Sequence, residues 1–357
     1  MKKHFFAGTN SSVGFYSYFD HILSSKDADR IYILKGGPGV GKSSFMKKVA
    51  RFFEERGHFI EYIHCSTDYQ SLDAINVADY KLMIVDGTAP HVIEPKLPCL
   101  VEEILDFGKY LTRDNLLNHR ETIIKLSQEK SKFYQSGYKY LNMAGILLDE
   151  ISETYSLLTN TKKRCIMKRR IISDLDQLIS KAKARDKAGS LRKMFVESYT
   201  PNGYYSYLDI VSKEKEVWEI ISPNYKDVSS LLEGIVSNLL IRGFSIEGFY
   251  HPLLPDQLMH IYIKELDLMI ISKDEEEKKT NSSKTYLLYE EIDREDLKEK
   301  KTELNKNKNL FDSLTNEGMK KFKEAKEKHE LLEKIYIKSM DFEKVDLLYE
   351  KIVAEYK

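Results

Sequence analysis

The stretch that decides the fold reads Gly36-Gly37-Pro38-Gly39-Val40-Gly41-Lys42-Ser43-Ser44. It follows an apolar, β-branched run at 30–35, which is typical of a buried strand. It precedes residues 42–56, where apolar side chains recur at helical spacing until Gly57 ends the pattern. The sequence therefore predicts a strand, a glycine loop and a helix in immediate succession.

The glycine loop fits the pattern GxxxxGK[ST], which is typical of a phosphate-binding P-loop. Glycines permit backbone angles that turn the loop amides inward, and the N-terminus of the next helix adds a partial positive charge. Lys42 is predicted to reach the β- and γ-phosphates, and Ser43 to give its hydroxyl to Mg²⁺. We therefore expect residues 36–44 to bind a nucleoside triphosphate, ATP with Mg²⁺.

Asp86 supplies the second half of the predicted site. It ends the apolar run 82–85, and α/β sheets bind ligands at the carboxyl ends of their strands. We expect this carboxylate to hold Mg²⁺ through water, together with Ser43. The structural alternative is an aspartate in an ordinary Asp-Gly turn with Gly87.

The catalytic base is not assigned by the sequence. Gly87 occupies the position where many ATPases carry a glutamate, which leaves hydrolysis open. His91 is the first candidate for the missing base, and Asp68 and Asp73 are weaker ones. Residues 66–73 also resemble a helix cap followed by a turn.

The chain repeats itself. Phe6 corresponds to Phe195, and three further segments recur in the same order 186 or 189 residues later: 14–20 at 203–209, 56–61 at 242–247, and 82–85 at 268–271. Each copy is followed by a polar segment that is rich in Leu, Lys and Glu, as long helices require. We predict four units: a P-loop nucleotide-binding module at 1–96, a helical arm at 97–190, a degenerate P-loop-like module at 191–282, and a second helical arm at 283–357.

The predicted fold class is α/β, with duplicated P-loop modules that contain parallel sheets. In the second copy, residues 222–229 take the place of the glycine loop, with Asp227 at the position of Gly41 and Val228 at that of Lys42. An aspartate repels phosphate and a valine cannot neutralise it. The second copy is therefore predicted to keep the fold without binding a nucleotide.

Charge and composition exclude several classes of protein. Formal net charge is zero, which does not favour nucleic-acid binding, although residues 162–193 carry twelve basic and three acidic side chains. The spacing of Cys65, Cys99 and Cys165 matches no metal or redox motif and fits a reducing, cytoplasmic location. No apolar stretch reaches the length of a membrane span. A protein partner is expected to bind through the helical arms.

Several motifs together resemble one protein family: Phe5-Phe6-Ala7-Gly8, Gly14-Phe15-Tyr16-Ser17-Tyr18, the glycine loop, His64-Cys65-Ser66, and Asp86-Gly87-Thr88-Ala89-Pro90-His91. The family is one of poorly characterised bacterial ATP-binding proteins with two tandem P-loop modules. The resemblance covers nearly the whole chain and implies a P-loop fold and ATP binding. Members usually carry a glycine loop in both modules, and this chain departs from that pattern in the second.

The predicted function is that of an ATP-binding P-loop NTPase, a slow hydrolase or nucleotide-driven switch with one active site and one pseudo-site. Lys42, Asp86 and His91 are its predicted catalytic residues. A kinase for a small metabolite is one alternative, which requires an acceptor pocket near His91. A nucleotide sensor or scaffold that does not hydrolyse its ligand is the other.

Overall fold

Two six-stranded sheets of mixed direction and eight α-helices make up the described part of the chain. In this computed structural model, the described residues are 2–22, 24–181, 188–274, 281–288, 292 and 294–357. None of the helices within these ranges carries the long apolar stretch that crossing a bilayer requires. The chain is therefore α/β, in agreement with the coarse prediction.

The first sheet contains the predicted strand at 30–35. Its strands are β1 (Lys2–Phe6), β4 (Arg30–Lys35), β5 (Ile60–Cys65), β6 (Asp68–Val77), β7 (Leu82–Asp86) and β8 (Glu102–Asp106). They lie in the order β1-β5-β6-β7-β4-β8. Helix α1 (Lys42–Glu54) connects β4 to β5, as the sequence predicts.

The expectation of a purely parallel sheet is wrong, because β6 runs antiparallel to both of its neighbours. Only Ser66 and Thr67 separate β5 from β6, and a parallel crossover needs a dozen or more residues. The predicted cap and turn at 66–73 is therefore also wrong beyond its first two residues. The remaining pairs, β1 with β5, β7 with β4 and β4 with β8, are parallel.

The second sheet has the same strand order and the same strand directions as the first. Its strands are β9 (Ser190–Met194), β12 (Glu216–Ile221), β13 (Ser245–Tyr250), β14 (Leu258–Ile263), β15 (Leu268–Lys273) and β16 (Lys284–Leu287). They lie in the order β16-β12-β15-β14-β13-β9, and β14 is the strand antiparallel to both neighbours. Each strand thus has a counterpart in the first sheet.

The segments predicted to be helical begin with strands. Strand β8 lies beyond residue 96 and pairs with β4, and β16 lies beyond residue 282 and pairs with β12. Both are edge strands, so one flank of each faces no neighbouring strand in its sheet. An edge strand tolerates charged residues such as Glu103, and this polarity resembles that of a surface helix.

The two sheets meet at a pair of equivalent hairpins. These are β2 (Gly8–Ser11) with β3 (Gly14–Ser17), and β10 (Glu197–Thr200) with β11 (Gly203–Ser206). Phe6 and Phe195 exchange backbone hydrogen bonds of 2.8 and 2.9 Å, and the hydroxyls of Thr9 and Ser198 lie 3.1 Å apart. Both pairs join residues at matching positions of the two sheets and hairpins, so a local pseudo-twofold axis passes between them.

Residues from one face of each sheet belong to a common buried cluster, together with Phe19 and Leu208. This core includes Ile31, Ile33, Met83 and Val85 of the first sheet and Val217, Met269 and Ile271 of the second. The outer face of the first sheet is covered by α1 and α8 (Phe342–Ala354), and that of the second by α4 (Thr161–Ile179) and α6 (Tyr225–Ile241).

The long helices α3 (Arg120–Leu158) and α7 (Arg294–Lys338) pack against each other, with Phe322 seated against Gly137. Each leads to a helix that covers the other copy's sheet: α3 leads from the first sheet to α4 on the second, and α7 leads from the second to α8 on the first. The remaining α-helices are α2 (Arg113–Leu117) and α5 (Leu208–Val211), and the 3₁₀ helices are Phe19–His21, Ala78–Tyr80, Phe107–Tyr110 and Lys264–Leu266.

Candidate nucleotide site

The site lies where β4 and β7 end. These strands are parallel neighbours with Leu34 opposite Asp86, and the Gly87 amide donates to the Leu34 carbonyl at 3.0 Å. The glycine loop follows β4, and Asp86 is the last residue of β7. The topology therefore brings the loop and the carboxylate to the same edge of the sheet, as the sequence predicts.

Two glycines of the loop adopt left-handed backbone angles, with φ of +70° at Gly39 and +91° at Gly41. Gly41 is the N-cap of α1 and provides no side-chain cap, and the first turn of that helix contains no acidic residue. The first amides of a helix lack intrahelical partners, and the helix dipole favours an anion beside them. This end of α1 therefore fits a phosphate group.

Lys42 connects the loop to the carboxylate. Its ammonium donates to the carbonyls of Gly36 (2.8 Å) and Gly37 (3.0 Å), and it lies 3.5 Å from Asp86 Oδ2. The other oxygen, Asp86 Oδ1, accepts hydrogen bonds from the Thr88 amide and hydroxyl at 2.9 and 2.5 Å. Asp86 is therefore oriented by its own turn, and its Oδ2 faces the lysine.

The other predicted loop residues differ in what they can contact. Ser43 Oγ accepts a hydrogen bond from the Leu72 amide at 3.0 Å and keeps its own proton available. Val40 is buried in the core beneath the loop, so only its backbone can face a ligand. Pro38 is half-buried, and Ser44 is exposed on the first turn of α1.

The donor set fits Mg²⁺ bound together with phosphates. Ser43 and Asp86 supply oxygen ligands, which this ion prefers, and Mg²⁺ is commonly held by one or two protein groups plus phosphate oxygens and water. The described residues contain no cluster of three or more His, Cys, Asp or Glu side chains that would form a metal cage of protein alone.

His91 is buried close to this site. Its ring stacks on Phe19 with centroids 4.6 Å apart, and the Phe15 ring lies at 5.9 Å. The side chain is 7% exposed, and neither ring nitrogen has a hydrogen-bond partner in the described structure. His91 Nε2 lies 4.0 Å from Asp73 Oδ1.

Asp73 belongs to β6 and is the functional candidate that the sequence underrated. Burial raises the pKa of its carboxyl, and the nearby Asp86 raises it further, while His91 and Lys42 lower it. Lys42, Asp73, Asp86 and His91 therefore form one electrostatic cluster. The signal in the sequence was the pair of β-branched residues Ile75 and Val77, which favours a strand over a helix cap.

The other weak candidate, Asp68, is engaged elsewhere. Its carboxylate lies 3.2 Å from Lys326 Nζ of α7 and accepts a hydrogen bond from the Ser71 hydroxyl at 2.6 Å. Burial opposes ionisation, but these hydrogen bonds and the lysine outweigh it and lower the pKa. Asp68 therefore connects β6 to the long helix.

Helix α7 also packs directly on the glycine loop. A Cβ atom at Gly39 would lie 2.8 Å from the Glu333 carbonyl oxygen, and one at Gly37 would lie 2.8 Å from the Tyr336 ring. Phe342, at the start of α8, approaches Gly41 in the same way at 3.2 Å. The loop glycines thus serve a close helix contact as well as loop geometry, and no sequence pattern indicated this contact.

Residues 222–229, which the sequence aligns with the glycine loop, make polar contacts with α3 and α4. Asn224 caps α6 and accepts a hydrogen bond from the Ser152 hydroxyl at 2.5 Å. Arg164 reaches both oxygens of Asp227, at 3.0 and 3.2 Å, and Lys168 lies 3.6 Å from the same carboxylate. Two side chains of the basic segment 162–193 are therefore used within the molecule.

Comparisons of the chain with protein-family models, with curated proteins and with solved structures returned no match. The resemblance to the tandem P-loop family therefore stays a prediction, and the case for function depends on the geometry of this site.

Proposed function

We propose that the chain binds a nucleoside triphosphate, ATP with Mg²⁺, at residues 36–44 and Asp86. One observation carries this proposal: the Lys42 ammonium lies 3.5 Å from Asp86 Oδ2, beside a helix N-terminus whose cap has no side-chain hydrogen bond. A lysine, a carboxylate and free amides at one sheet edge are the groups that a magnesium–triphosphate requires.

Each residue then has a defined role. The loop amides and Lys42 neutralise the β- and γ-phosphates, and Ser43 and Asp86 offer oxygens to Mg²⁺. The bound ion would offset negative charge on the phosphates. Thr88 keeps Asp86 oriented through its two hydrogen bonds.

We further propose that the chain contains two copies of a P-loop module, of which only the first binds nucleotide. The identical strand order of the two sheets supports this duplication. In the second copy Val228, Asp227 and Ser272 replace the lysine, a loop glycine and the metal-binding carboxylate. Asp227, at the position that aligns with Gly41, forms an ion pair with Arg164, which supports the loss of phosphate binding in this loop.

We propose that the chain hydrolyses the bound ATP slowly and that hydrolysis is coupled to a change in the packing of α7 and α8. The contact between Gly39 and Glu333 places α7 against the loop that would hold the phosphates. A ligand can shift such a contact only by binding one arrangement more tightly than the other. Phosphoryl transfer to a small acceptor is the second candidate, because His91 and Asp73 lie side by side near Lys42.

We also propose a location in the cell and a kind of partner for this chain. Cys65, Cys99 and Cys165 are all unpaired, as a cytoplasmic protein requires. A protein partner would bind along the long helices, where Leu157 is 89% exposed and Ile146 is 65% exposed.

The test is a titration of the full chain with a fluorescent ATP analogue, with and without Mg²⁺, together with an assay of phosphate release. We expect Lys42→Ala to weaken binding by about 100-fold, since a phosphate-binding charge-assisted contact contributes roughly 1.5–3 kcal/mol. Lys47→Ala is the matched control, because Lys47 is exposed on the same helix. Equal affinities of wild type and Lys42→Ala would overturn the proposal.

A further inference from the structure

Asp73 and His91 lie near Lys42 and have no role in the proposed binding of phosphate and Mg²⁺. Asp73 has a side chain only 6% exposed, and the His91 ring beside it has two ring nitrogens without hydrogen-bond partners in the described structure. Burying a polar group without a partner costs free energy. A histidine enclosed by Phe15 and Phe19 that also faces a carboxylate therefore indicates a polar ligand.

Comparison of the two copies separates structural from functional residues. Ser43 and Leu72 make a hydrogen bond that recurs between Ser229 and Leu258, so the two copies are in register at this point. The next residue is Asp73 in the first copy and Met259 in the second. The fold thus accepts an uncharged side chain at this position.

Lys42, Asp73 and Asp86 are all replaced in the second copy, by Val228, Met259 and Ser272. Ser43, which makes the shared hydrogen bond, is retained as Ser229. Asp73 therefore changes together with the residues proposed to bind the nucleotide, whereas the serine that bonds the sheet is retained.

We propose that Asp73 and His91 hold the oxygen nucleophile, the O–H group of water or of a small hydroxyl acceptor, that attacks the terminal phosphoryl group. This inference rests on the proposed function. It gives the missing base a location on β6, in place of the residue after Asp86, and it gives His91 a role in contact with the nucleophile.

The step balances without any further reactant. The nucleophile oxygen forms a bond to the γ-phosphorus while the bond from that phosphorus to the β,γ-bridging oxygen breaks. The electron pair of the broken bond remains on the β-phosphate, beside Lys42. The proton of the nucleophile passes to the Asp73 carboxylate, and a ring nitrogen of His91 holds the O–H group in place.

The experiment compares Asp73→Asn, Asp73→Met and His91→Phe with wild type in the full chain. Three quantities are measured: affinity for Mg·ATP, the rate of phosphate release, and the melting temperature. Asp73→Met introduces the residue of the second copy, and His91→Phe keeps an aromatic ring between Phe15 and Phe19. Asp79→Asn is the matched control, because Asp79 follows the same strand, is exposed and pairs with His58 instead of with the candidate site.

We expect both Asp73 variants to reduce turnover by about 100-fold or more, the usual contribution of a general base. Affinity for Mg·ATP should stay within about threefold, and the melting temperature of Asp73→Met should not fall, since a buried carboxyl is removed. A residue with only a structural role would instead lower the melting temperature and leave the turnover of the folded protein intact. His91→Phe should lower turnover without loss of affinity.

Products distinguish the two sources of the nucleophile. ATP labelled in the γ-phosphate is incubated alone, and then with glycerol, glucose, uridine or serine as hydroxyl donors. Label released as phosphate identifies water, and label on a donor identifies an acceptor.

Three results would overturn the inference. Turnover of Asp73→Asn within threefold of wild type would do so while leaving the nucleotide site in place. Wild type that binds Mg·ATP without any turnover or transfer would also overturn the inference and leave the nucleotide site in place. Wild type that binds no nucleotide would overturn the proposed function and this inference with it.

Discussion

Ser43 Oγ accepts a hydrogen bond from the Leu72 amide at 3.0 Å, and Ser229 Oγ accepts the equivalent bond from Leu258 at 2.9 Å. Ser43 directly follows a lysine, Lys42, whereas Ser229 directly follows a valine, Val228. The hydrogen bond is therefore part of the fold, and any role of Ser43 in Mg²⁺ binding is additional to it.

Ser43 and Ser229 allow the same substitution to be compared at a candidate metal ligand and at a serine with only a structural hydrogen bond. Ser43→Ala and Ser229→Ala should each destabilise the protein by about 1–3 kcal/mol, because each leaves an amide without its partner. Only Ser43→Ala should also weaken Mg²⁺-dependent nucleotide binding, by about 10-fold. Urea unfolding and nucleotide titration measure the two effects. Equal nucleotide affinities of the two variants would remove Ser43 from the metal site.

The contact between the glycine loop and α7 leads to a second prediction. Gly39 and Gly14 both have positive φ, +70° and +103°, so an alanine at either position costs about 1–2 kcal/mol of backbone strain. A Cβ at Gly14 meets nothing within 4 Å, whereas one at Gly39 collides with the Glu333 backbone. Gly39→Ala should therefore cost more stability than Gly14→Ala and should displace α7.

Hydrogen exchange measures this displacement. Amides of residues 333–342 should exchange faster in Gly39→Ala than in wild type and should be unchanged in Gly14→Ala. If the two variants show the same exchange in this segment, α7 does not depend on the loop.

Acid sensitivity should arise from buried histidines. His64 Nδ1 lies 2.7 Å from the Tyr69 carbonyl, so it carries the proton, and Nε2 then accepts from His4 Nδ1 at 2.8 Å. Burial, with the neighbouring His4, lowers the pKa of His64 to about 3, and burial lowers that of His251 to about 4. Both rings are therefore neutral in the folded chain.

The direction of the pH dependence of the free energy of unfolding follows from proton uptake. Below the ordinary histidine pKa of about 6.5 the unfolded chain binds protons that the folded chain excludes. The contribution of these rings is complete above that pH, and it is lost as the pH falls toward 4 and then 3. The free energy of unfolding should decrease by about 1.4 kcal/mol per pH unit for each ring.

Urea unfolding between pH 7 and pH 4.5 measures this slope. His64→Gln should make the slope smaller, with His251 still contributing, and substitution of the exposed His119 by Gln should leave it unchanged. A slope that is the same in wild type and His64→Gln would contradict the assignment.

The parts of the fold that sequence patterns predicted are those with local causes. The run at 30–35, the loop and α1 follow one another in the chain, and each depends on its own residues. Strand β6 was missed because its first half is polar, since Asp68 pairs with α7 and Asp73 faces the candidate site. Its direction became clear only from the short turn after Cys65.

The candidate site likewise contains some contacts that the sequence predicted and others that it did not. Lys42 and Asp86 were predictable because the ends of adjacent parallel strands meet at one edge. The proximity of His91 to Asp73 was not, because it depends on how the segment after β7 folds back onto Phe19. The approach of Glu333 to Gly39 joins residues almost 300 positions apart, and neither residue type indicates it.

The reciprocal placement of α4 and α8 has a consequence for how such a chain can change. Each half completes the hydrophobic cover of the other, as two subunits of an intertwined dimer do, and here a covalent connection keeps both partners together at high local concentration. In a dimer of identical subunits, every substitution appears twice. In a single chain a substitution appears once, so each half can change without the other.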